Sequence, residues 1–229
     1  MKTIGLLGGM SWESTELYYR LINEGVKKAL GGLHSARIAL VSVDFQQIEA
    51  FQRRGEWSAA AALLANCARQ VEAAGADFLL LCTNTMHSVA AAIEAAINIP
   101  LLHIADATAS RIAEAGIETI GLLGTRFTME QDFYRGRLER LGLRVLIPQA
   151  EDRESVDRII YRELCLGKVT EKSRAELLRI MGQLNAAGAQ GIIEGCTEIG
   201  MIVQQRHTEL SLFDTTAIHA QEAVAEALK

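Results

Sequence analysis

The sequence predicts an α/β protein of two pseudo-symmetric parallel-sheet domains related by internal duplication. Three observations predict it. One half repeats the other: Lys2-Thr3-Ile4-Gly5-Leu6-Leu7-Gly8 returns as Glu118-Thr119-Ile120-Gly121-Leu122-Leu123-Gly124, and Ala73-Ala74-Gly75-Ala76 returns as Ala186-Ala187-Gly188-Ala189. Short apolar runs alternate with helix-length amphipathic segments, the pattern of parallel α/β sheets. The runs are apolar throughout rather than alternating, as expected where helices cover both sheet faces.

In chain order, strands are expected at residues 3–7, 38–43, 78–82 and 101–104 in the first half. Their counterparts are expected at 120–123, 145–147, 192–194 and 210–213. A helix over 58–74 sets Leu63, Cys67, Val71 and Ala74 on one face, and Gly75 stands where a C-terminal cap belongs. A helix over 174–187, closed by Gly188, is its counterpart. Two domains of about 110 residues follow, an ordinary domain size. The expected boundaries are 1–97 and 98–229, with the join near 97–118 and the last helix crossing back to the first half.

With 229 residues, the chain is long enough to bury a substantial core. Its net charge is −5, with acidic and basic residues interspersed. There is no basic stripe for nucleic acid and no cationic amphipathic helix for a membrane surface. No apolar run reaches the roughly 18 residues needed to span a bilayer. The first residues read as a strand and loop, not as a signal peptide. The four cysteines, Cys67, Cys82, Cys165 and Cys196, form no CxxC pair and no metal spacing with His, so no metal is expected. Free thiols in a reducing cytoplasm are the expectation.

In open parallel sheets, ligands sit beyond the carboxyl ends of the strands. The polar clusters fall there, at residues 8–15, 83–87, 124–128 and 195–198, which predicts one cleft shared by the two halves. Gly8-Gly9-Met10-Ser11 joins a strand to a helix but is neither GxGxxG nor a P-loop, so a dinucleotide or nucleoside triphosphate has no support. The alternative is a tight turn capped by Ser11 or Ser14.

Thr83 and Cys196 are matched positions, each lying the same distance beyond the repeated Ala-Ala-Gly-Ala block. A thiol at a helix start has a lowered pKa, which predicts some thiolate at Cys196 near neutral pH. A small buried hydrophobe is the competing reading, and it is the one given to Cys67 and Cys165, which lie in helical patterns away from the clusters. Cys82 precedes Thr83, and strand alternation points it into the helix–sheet layer. Thr83, Asn84 and Thr85 offer hydroxyls, an amide and backbone N–H groups suited to a carboxylate, or to capping. Thr125 and Thr128 stand equally between cap and ligand. His87 reads as a satisfied structural histidine.

Taken together, Ile4-Gly5-Leu6-Leu7-Gly8-Gly9-Met10, Thr83-Asn84-Thr85-Met86-His87, Gly121-Leu122-Leu123-Gly124-Thr125 and Gly195-Cys196-Thr197-Glu198 resemble the aspartate/glutamate racemase family over nearly the whole chain. The resemblance implies racemisation of an amino acid without pyridoxal phosphate or any other cofactor. In that family a cysteine from each half works on opposite faces of the α-carbon. Cys196 matches the second cysteine. Thr83 stands where the first is usual, which implies a site that handles the two enantiomers unequally. The resemblance places Asn84, Thr85 and Thr197 at the α-carboxylate, with Thr125, Thr128 and Met10 lining the site. Aspartate-specific members carry a Lys at the helix position held here by Cys165, so Gln52, Arg53 and Arg54 become the candidates for the side-chain end.

The expected substrate is a small amino acid, aspartate or glutamate first, and the expected assembly is a homodimer. Three alternatives share the same residues: a broad-specificity amino-acid racemase, a single-cysteine decarboxylase of substituted malonates, and a non-catalytic amino-acid binding protein.

Overall fold

A computed structural model describes residues 1–229. The strands are β1 (Ile4–Gly8), β2 (Ile38–Ser42), β3 (Phe78–Leu81), β4 (Leu101–Leu102), β5 (Thr119–Gly124), β6 (Arg144–Leu146), β7 (Gly191–Gly195) and β8 (Ser211–Asp214). The helices are α1 (Trp12–Leu30), α2 (Phe45–Arg54), α3 (Trp57–Ala73), α4 (Ala90–Glu94), α5 (Ile104–Glu114), α6 (Arg126–Glu130), α7 (Arg135–Arg140), α8 (Ala150–Arg162), α9 (Glu171–Ala186), α10 (Ile199–Ile202) and α11 (Thr215–Leu228). Every expected strand is present, with ends shifted by one or two residues.

The sheets repeat as the sequence does. One runs β2-β1-β3-β4, the other β6-β5-β7-β8, and every pairing is parallel. The chain divides into two compact units, residues 1–104 with 219–229, and residues 105–218.

In the first unit both sheet faces are covered. Leu7, Leu79 and Leu81 pack with Leu64, Ala68 and Val71 of α3, whereas Ile4, Leu6, Phe78, Leu80 and Cys82 pack with Tyr18, Ile22 and Val26 of α1 and Ala220, Ala223 and Val224 of α11. The two-residue period of a strand makes this division, and it sends Cys82 into the second layer, away from Thr83. In the second unit, Ile120, Leu122, Leu123, Ile192 and Ile193 are fully buried, as are Leu177 and Ile180 of α9.

The buried face of α3 differs from the expected one. It runs through Ala60, Leu64, Ala68 and Val71; Leu63 and Cys67 are half-buried and Ala74 is exposed. In an alanine-rich helix the small residues carry the close contact with the sheet, so a stripe drawn through the larger side chains is rotated by one position. No helix is long and apolar enough to cross a membrane.

Candidate active site

In the first unit the polar residues gather at the carboxyl ends of β1 and β3. Gly9 has φ +90, and a Cβ there would fall 2.2 Å from the Val43 carbonyl oxygen, so this turn admits only glycine. The Met10–Ser11 peptide bond is cis. Ser11 caps α1 by accepting from the Ser14 N–H at 3.3 Å, which fulfils the capping reading of this turn. The Thr15 hydroxyl accepts from the Gly9 N–H at 2.8 Å and donates to the Ser11 carbonyl at 2.9 Å. The Ser14 hydroxyl donates to the Cys82 carbonyl at 3.4 Å, tying this loop to the one after β3. Met10 is buried in the core cluster that also holds Met86.

Thr83, Asn84 and Thr85 are all buried, with a 3-10 turn over Thr85–Val89 following them. Asn84 occupies the cap position of that turn but makes no side-chain cap bond. Behind it, His87 Nδ1 donates to the Thr83 carbonyl at 2.7 Å and Nε2 accepts from the Ile104 N–H at 3.4 Å. These bonds fix one neutral tautomer and make His87 a brace for the Thr83 backbone. The His103 ring lies 4.4 Å from it, and His219 lies beyond, accepting from the Tyr18 hydroxyl at Nδ1 and donating from Nε2 to the Leu102 carbonyl, each at 2.8 Å. Burial lowers the His219 pKa to about 4, so this ring is neutral.

Gln52, on α2, is 5% exposed; its amide donates to the Met86 sulfur at 2.9 Å and its carbonyl oxygen has no partner. Arg53 and Arg54 are not brought to this cluster. Arg53 pairs with Glu49 one turn back, and Arg54 bonds Glu56 at 2.8 Å while covering the Phe51 ring. On an exposed helix end, neighbouring carboxylates are their nearest partners.

In the second unit, β5 and β7 end side by side. A Cβ on Gly124 would stand 2.9 Å from the Gly195 carbonyl oxygen, and one on Gly195 would stand 2.8 Å from the Leu123 carbonyl oxygen. The paired glycines thus let the two strand ends and their loops approach. Thr125 caps α6, accepting from the Thr128 N–H at 3.3 Å, and the two hydroxyls lie 3.1 Å apart. Thr197 accepts from the Thr216 hydroxyl at 3.3 Å.

Cys196 is 9% exposed and its thiol donates to Glu198 Oε2 at 2.9 Å. Burial, then the Glu198 carboxylate, then Cys165 push this thiol well above the ordinary range. The expectation of resting thiolate is therefore corrected. The helix that follows, α10, has four residues and little dipole to offer, whereas a carboxylate beside a buried sulfur opposes a second negative charge.

Two neighbours of the thiol have roles that the sequence alone does not give them. Glu198 is the hydrogen-bond acceptor; two residues on from the cysteine, it was legible as a motif member but not as a partner. Cys165 corrects a second expectation. α8 stops at Arg162, Glu163 leaves helical geometry at φ −126, and Cys165 sits in a 3-10 turn over Leu164–Leu166, near enough to Cys196 to act on it electrostatically.

The fold and these clusters agree with what the chain is similar to. A family model described as Asp/Glu/Hydantoin racemase matches residues 7–223. A crystal structure of a candidate Asp/Glu racemase from Yersinia pestis is 58% identical, covers 100% of both chains and superposes with a TM-score of 0.94. An aspartate racemase homologue from Pyrococcus horikoshii OT3 is 33% identical over 100% of both chains, with a TM-score of 0.87. The broad specificity amino-acid racemase RacX of Bacillus subtilis (strain 168) is 24% identical over 68% of this chain and 67% of its own length. With all four polar clusters inside a family match that runs from residue 7 to residue 223, the chain belongs to the Asp/Glu/hydantoin racemase family, whose members are isomerases.

Proposed function

We propose that the protein inverts the α-carbon of an amino acid, aspartate or glutamate first, with Cys196 and Thr83 on opposite faces of that carbon. The observation that carries this reading is their equivalence. Thr83 is the second residue after β3 and Cys196 the first after β7, in sheets of identical strand order, with the same spacing from the repeated block.

The proton chemistry follows from the Cys196–Glu198 bond. Before Cys196 acts as a base, its thiol proton passes to the Glu198 carboxylate. The thiolate then takes the α-proton, and the electron pair left on carbon is delocalised into the substrate carboxylate. A proton returns to the opposite face from the Thr83 hydroxyl or from a water held there, and the alkoxide or hydroxide so formed is reprotonated from solvent while Glu198 releases the former thiol proton to solvent. In the reverse direction the α-proton leaves on the Thr83 face to the deprotonated hydroxyl or to hydroxide held there, and the resting Cys196 thiol gives its proton to the carbanion. A threonine hydroxyl is a far weaker acid than a thiol, so the α-proton facing Cys196 exchanges with solvent faster than the one facing Thr83, while kcat/KM for inversion is the same in both directions because the free enantiomers have equal free energy.

Asn84 and Thr85 of one unit and Thr197 of the other supply amide and hydroxyl groups for the α-carboxylate, and Thr125 and Thr128 add hydroxyls to the Thr197 side. Met10 and Gln52 take the side-chain end, and the unpartnered Gln52 carbonyl oxygen is free to accept from it. Arg53 and Arg54 face Glu49 and Glu56, and Gln52 is neutral. That arrangement favours a second reading, a broader amino-acid range, in line with the name of the Bacillus subtilis relative.

The decisive experiment is an amino-acid panel in deuterium oxide read by NMR and chiral chromatography. A racemase exchanges and inverts the α-proton. Exchange with none of the panel refutes the reading and points to a binding protein; carbon dioxide released from a substituted malonate points to a decarboxylase. Homodimer assembly is part of the same reading, and a monomer mass in light scattering refutes that part.

A further inference from the structure

Under the Cys196 loop lies a pair of buried carboxyl groups that the proposed chemistry does not use. Glu194 on β7 is 3% exposed and stands in direct parallel register with Asp214 on β8, so both side chains leave the same sheet face. In the repeated half the position equivalent to Glu194 is Leu81, a fully buried core leucine. An acid has been placed where the fold takes a hydrocarbon.

The two carboxyls converge on Gly200 of α10: a Cβ there would lie 3.4 Å from Asp214 Oδ2 and 3.9 Å from Glu194 Oε2. Asp214 is otherwise committed. Its Oδ1 accepts from the Thr216 and Ala217 N–H groups at 2.9 and 3.1 Å, holding the first turn of α11. Glu194 Oε1 has no partner at all. A buried carboxyl left unpaired is costly, and the cost is lowest when it is neutral and has an acceptor for its hydroxyl. Asp214, in register beside Glu194 and with its Oδ2 turned to the same Gly200, is the neighbouring carboxyl that can take that proton's hydrogen bond.

The surroundings supply no compensating cation. β5 presents Leu123 to Glu194 in register, and α10 presents Gly200. On α9, which packs on this face through Leu184, Arg174 bonds the Ile202 carbonyl and Glu171, and Arg179 pairs with Glu176 and Asp152; Lys172 completes that helix's charges. Asp214 is the charged group that acts on Glu194, and with burial it raises the glutamate pKa to about 8; burial raises Asp214 as well.

The pair is wired to the thiol loop. The Thr215 hydroxyl donates to the Glu194 carbonyl at 2.9 Å, and Thr216, whose N–H Asp214 holds, donates from its hydroxyl to Thr197, the residue after Cys196. We propose that Glu194 and Asp214 share one proton, and that this proton holds α10, the start of α11 and Thr197 in place around Cys196, making Glu194 a positioning residue for the thiol. The inference rests on Cys196 being the reacting group. When the shared proton leaves, two carboxylates face each other across β7 and β8, and the loop that carries the thiol is displaced.

The test compares wild type with Glu194→Gln, whose amide still donates to Asp214 but cannot ionise. Two readouts are followed from about pH 6 to about pH 10. The first, unfolding temperature, needs no substrate. Native Glu194 keeps its proton up to about pH 8 whereas an unfolded glutamate loses it near 4.5, so within the measured range wild type loses stability as the pH rises from about 6 to about 8, Glu194→Gln loses less, and this group adds no further loss above that. The second is the kcat ratio of Glu194→Gln to wild type, in which ionisations common to both cancel; it rises at least about tenfold between pH 7 and pH 10, and up to about a hundredfold if the ionised form is inactive. Carbon-13 NMR of glutamate-labelled wild type shows one glutamate carboxyl titrating near pH 8, a result that stands even if the variant does not fold. Parallel unfolding profiles, a flat kcat ratio, or ordinary titration of every glutamate carboxyl overturns the proposal. Because the unfolding and NMR arms do not depend on turnover, an inactive enzyme would count against the racemase reading alone.

Discussion

The Cys196 thiol donates a hydrogen bond to Glu198 Oε2 at 2.9 Å, and that carboxylate helps to keep the sulfur protonated at rest. One side chain both raises the cost of ionising the thiol and provides the place for its proton to go.

From this contact, Cys196→Ser is expected to abolish turnover in a folded protein, because in the proposed mechanism it removes the group that exchanges a proton with carbon. Glu198→Gln leaves the thiol without its base and lowers kcat by about 10²- to 10³-fold, within the usual range for losing a general base. Circular dichroism checks the fold and deuterium exchange checks the chemistry. Near wild-type exchange in either variant refutes the role given to that residue.

Cys165 is expected to be felt at Cys196 without being essential. Its electrostatic effect on the thiol ranks below burial and Glu198, so Cys165→Ala retains turnover within a few-fold and moves Cys196 ionisation to lower pH. Cys67, half-buried against the α3 side of the first sheet, gives neither effect on substitution. The check is the pH dependence of alkylation at Cys196, followed by peptide mass spectrometry. A profile unchanged by Cys165→Ala contradicts the proximity.

What the sequence made legible tracks how local the physics is. The inner strands β1 and β3 lie between helices, so their residues are apolar on both faces, and the run shows in the sequence however the sheet is assembled. The capping roles of Ser11 and Thr125 were readable too, because a cap is a contact across three residues. The placement of Cys165 was not, because it depends on where α8 stops and on a turn that folds back in three dimensions. The Glu194–Asp214 pair was invisible for the same reason: twenty residues apart, they become neighbours only through the register of β7 with β8. The resting state of Cys196 differs from the expected thiolate because burial and the Glu198 carboxylate, which the folded loop brings to the sulfur, outweigh the helix start.

His219 predicts an acid limit to stability. Its pKa falls from the usual 6.5 to about 4 in the folded protein, because it is buried between the Tyr18 hydroxyl and the Leu102 carbonyl. A depressed histidine pKa means that the unfolded chain binds the proton first. The contribution is thus complete above about pH 6.5 and is lost as the pH falls through 4, amounting to about 3 kcal/mol. Urea unfolding at several pH values measures it. His219→Gln keeps a donor and an acceptor and removes the titration, so its acid slope is shallower; equal slopes in the two proteins count against a buried neutral ring.

Thr83 sets the last expectation, an asymmetry of rate. It is the counterpart of Cys196 in the repeated half, and His87 holds its carbonyl at 2.7 Å, so the position is fixed rather than mobile. In the proposed mechanism a hydroxyl on that side makes proton abstraction from its face slower than abstraction by Cys196, whose proton has Glu198 to go to. Solvent deuterium therefore enters one enantiomer ahead of its net inversion. Thr83→Cys installs a thiol on the slow side and narrows the ratio of the two exchange rates by about tenfold or more, the scale of a single proton-transfer group. Equilibrium cannot shift, since free enantiomers in water have equal free energy, so the comparison has to be kinetic: initial exchange rates of each pure enantiomer in deuterium oxide, wild type against variant. If wild type exchanges both enantiomers equally fast, or if Thr83→Cys leaves their ratio where it was, Thr83 is not the group that opposes Cys196.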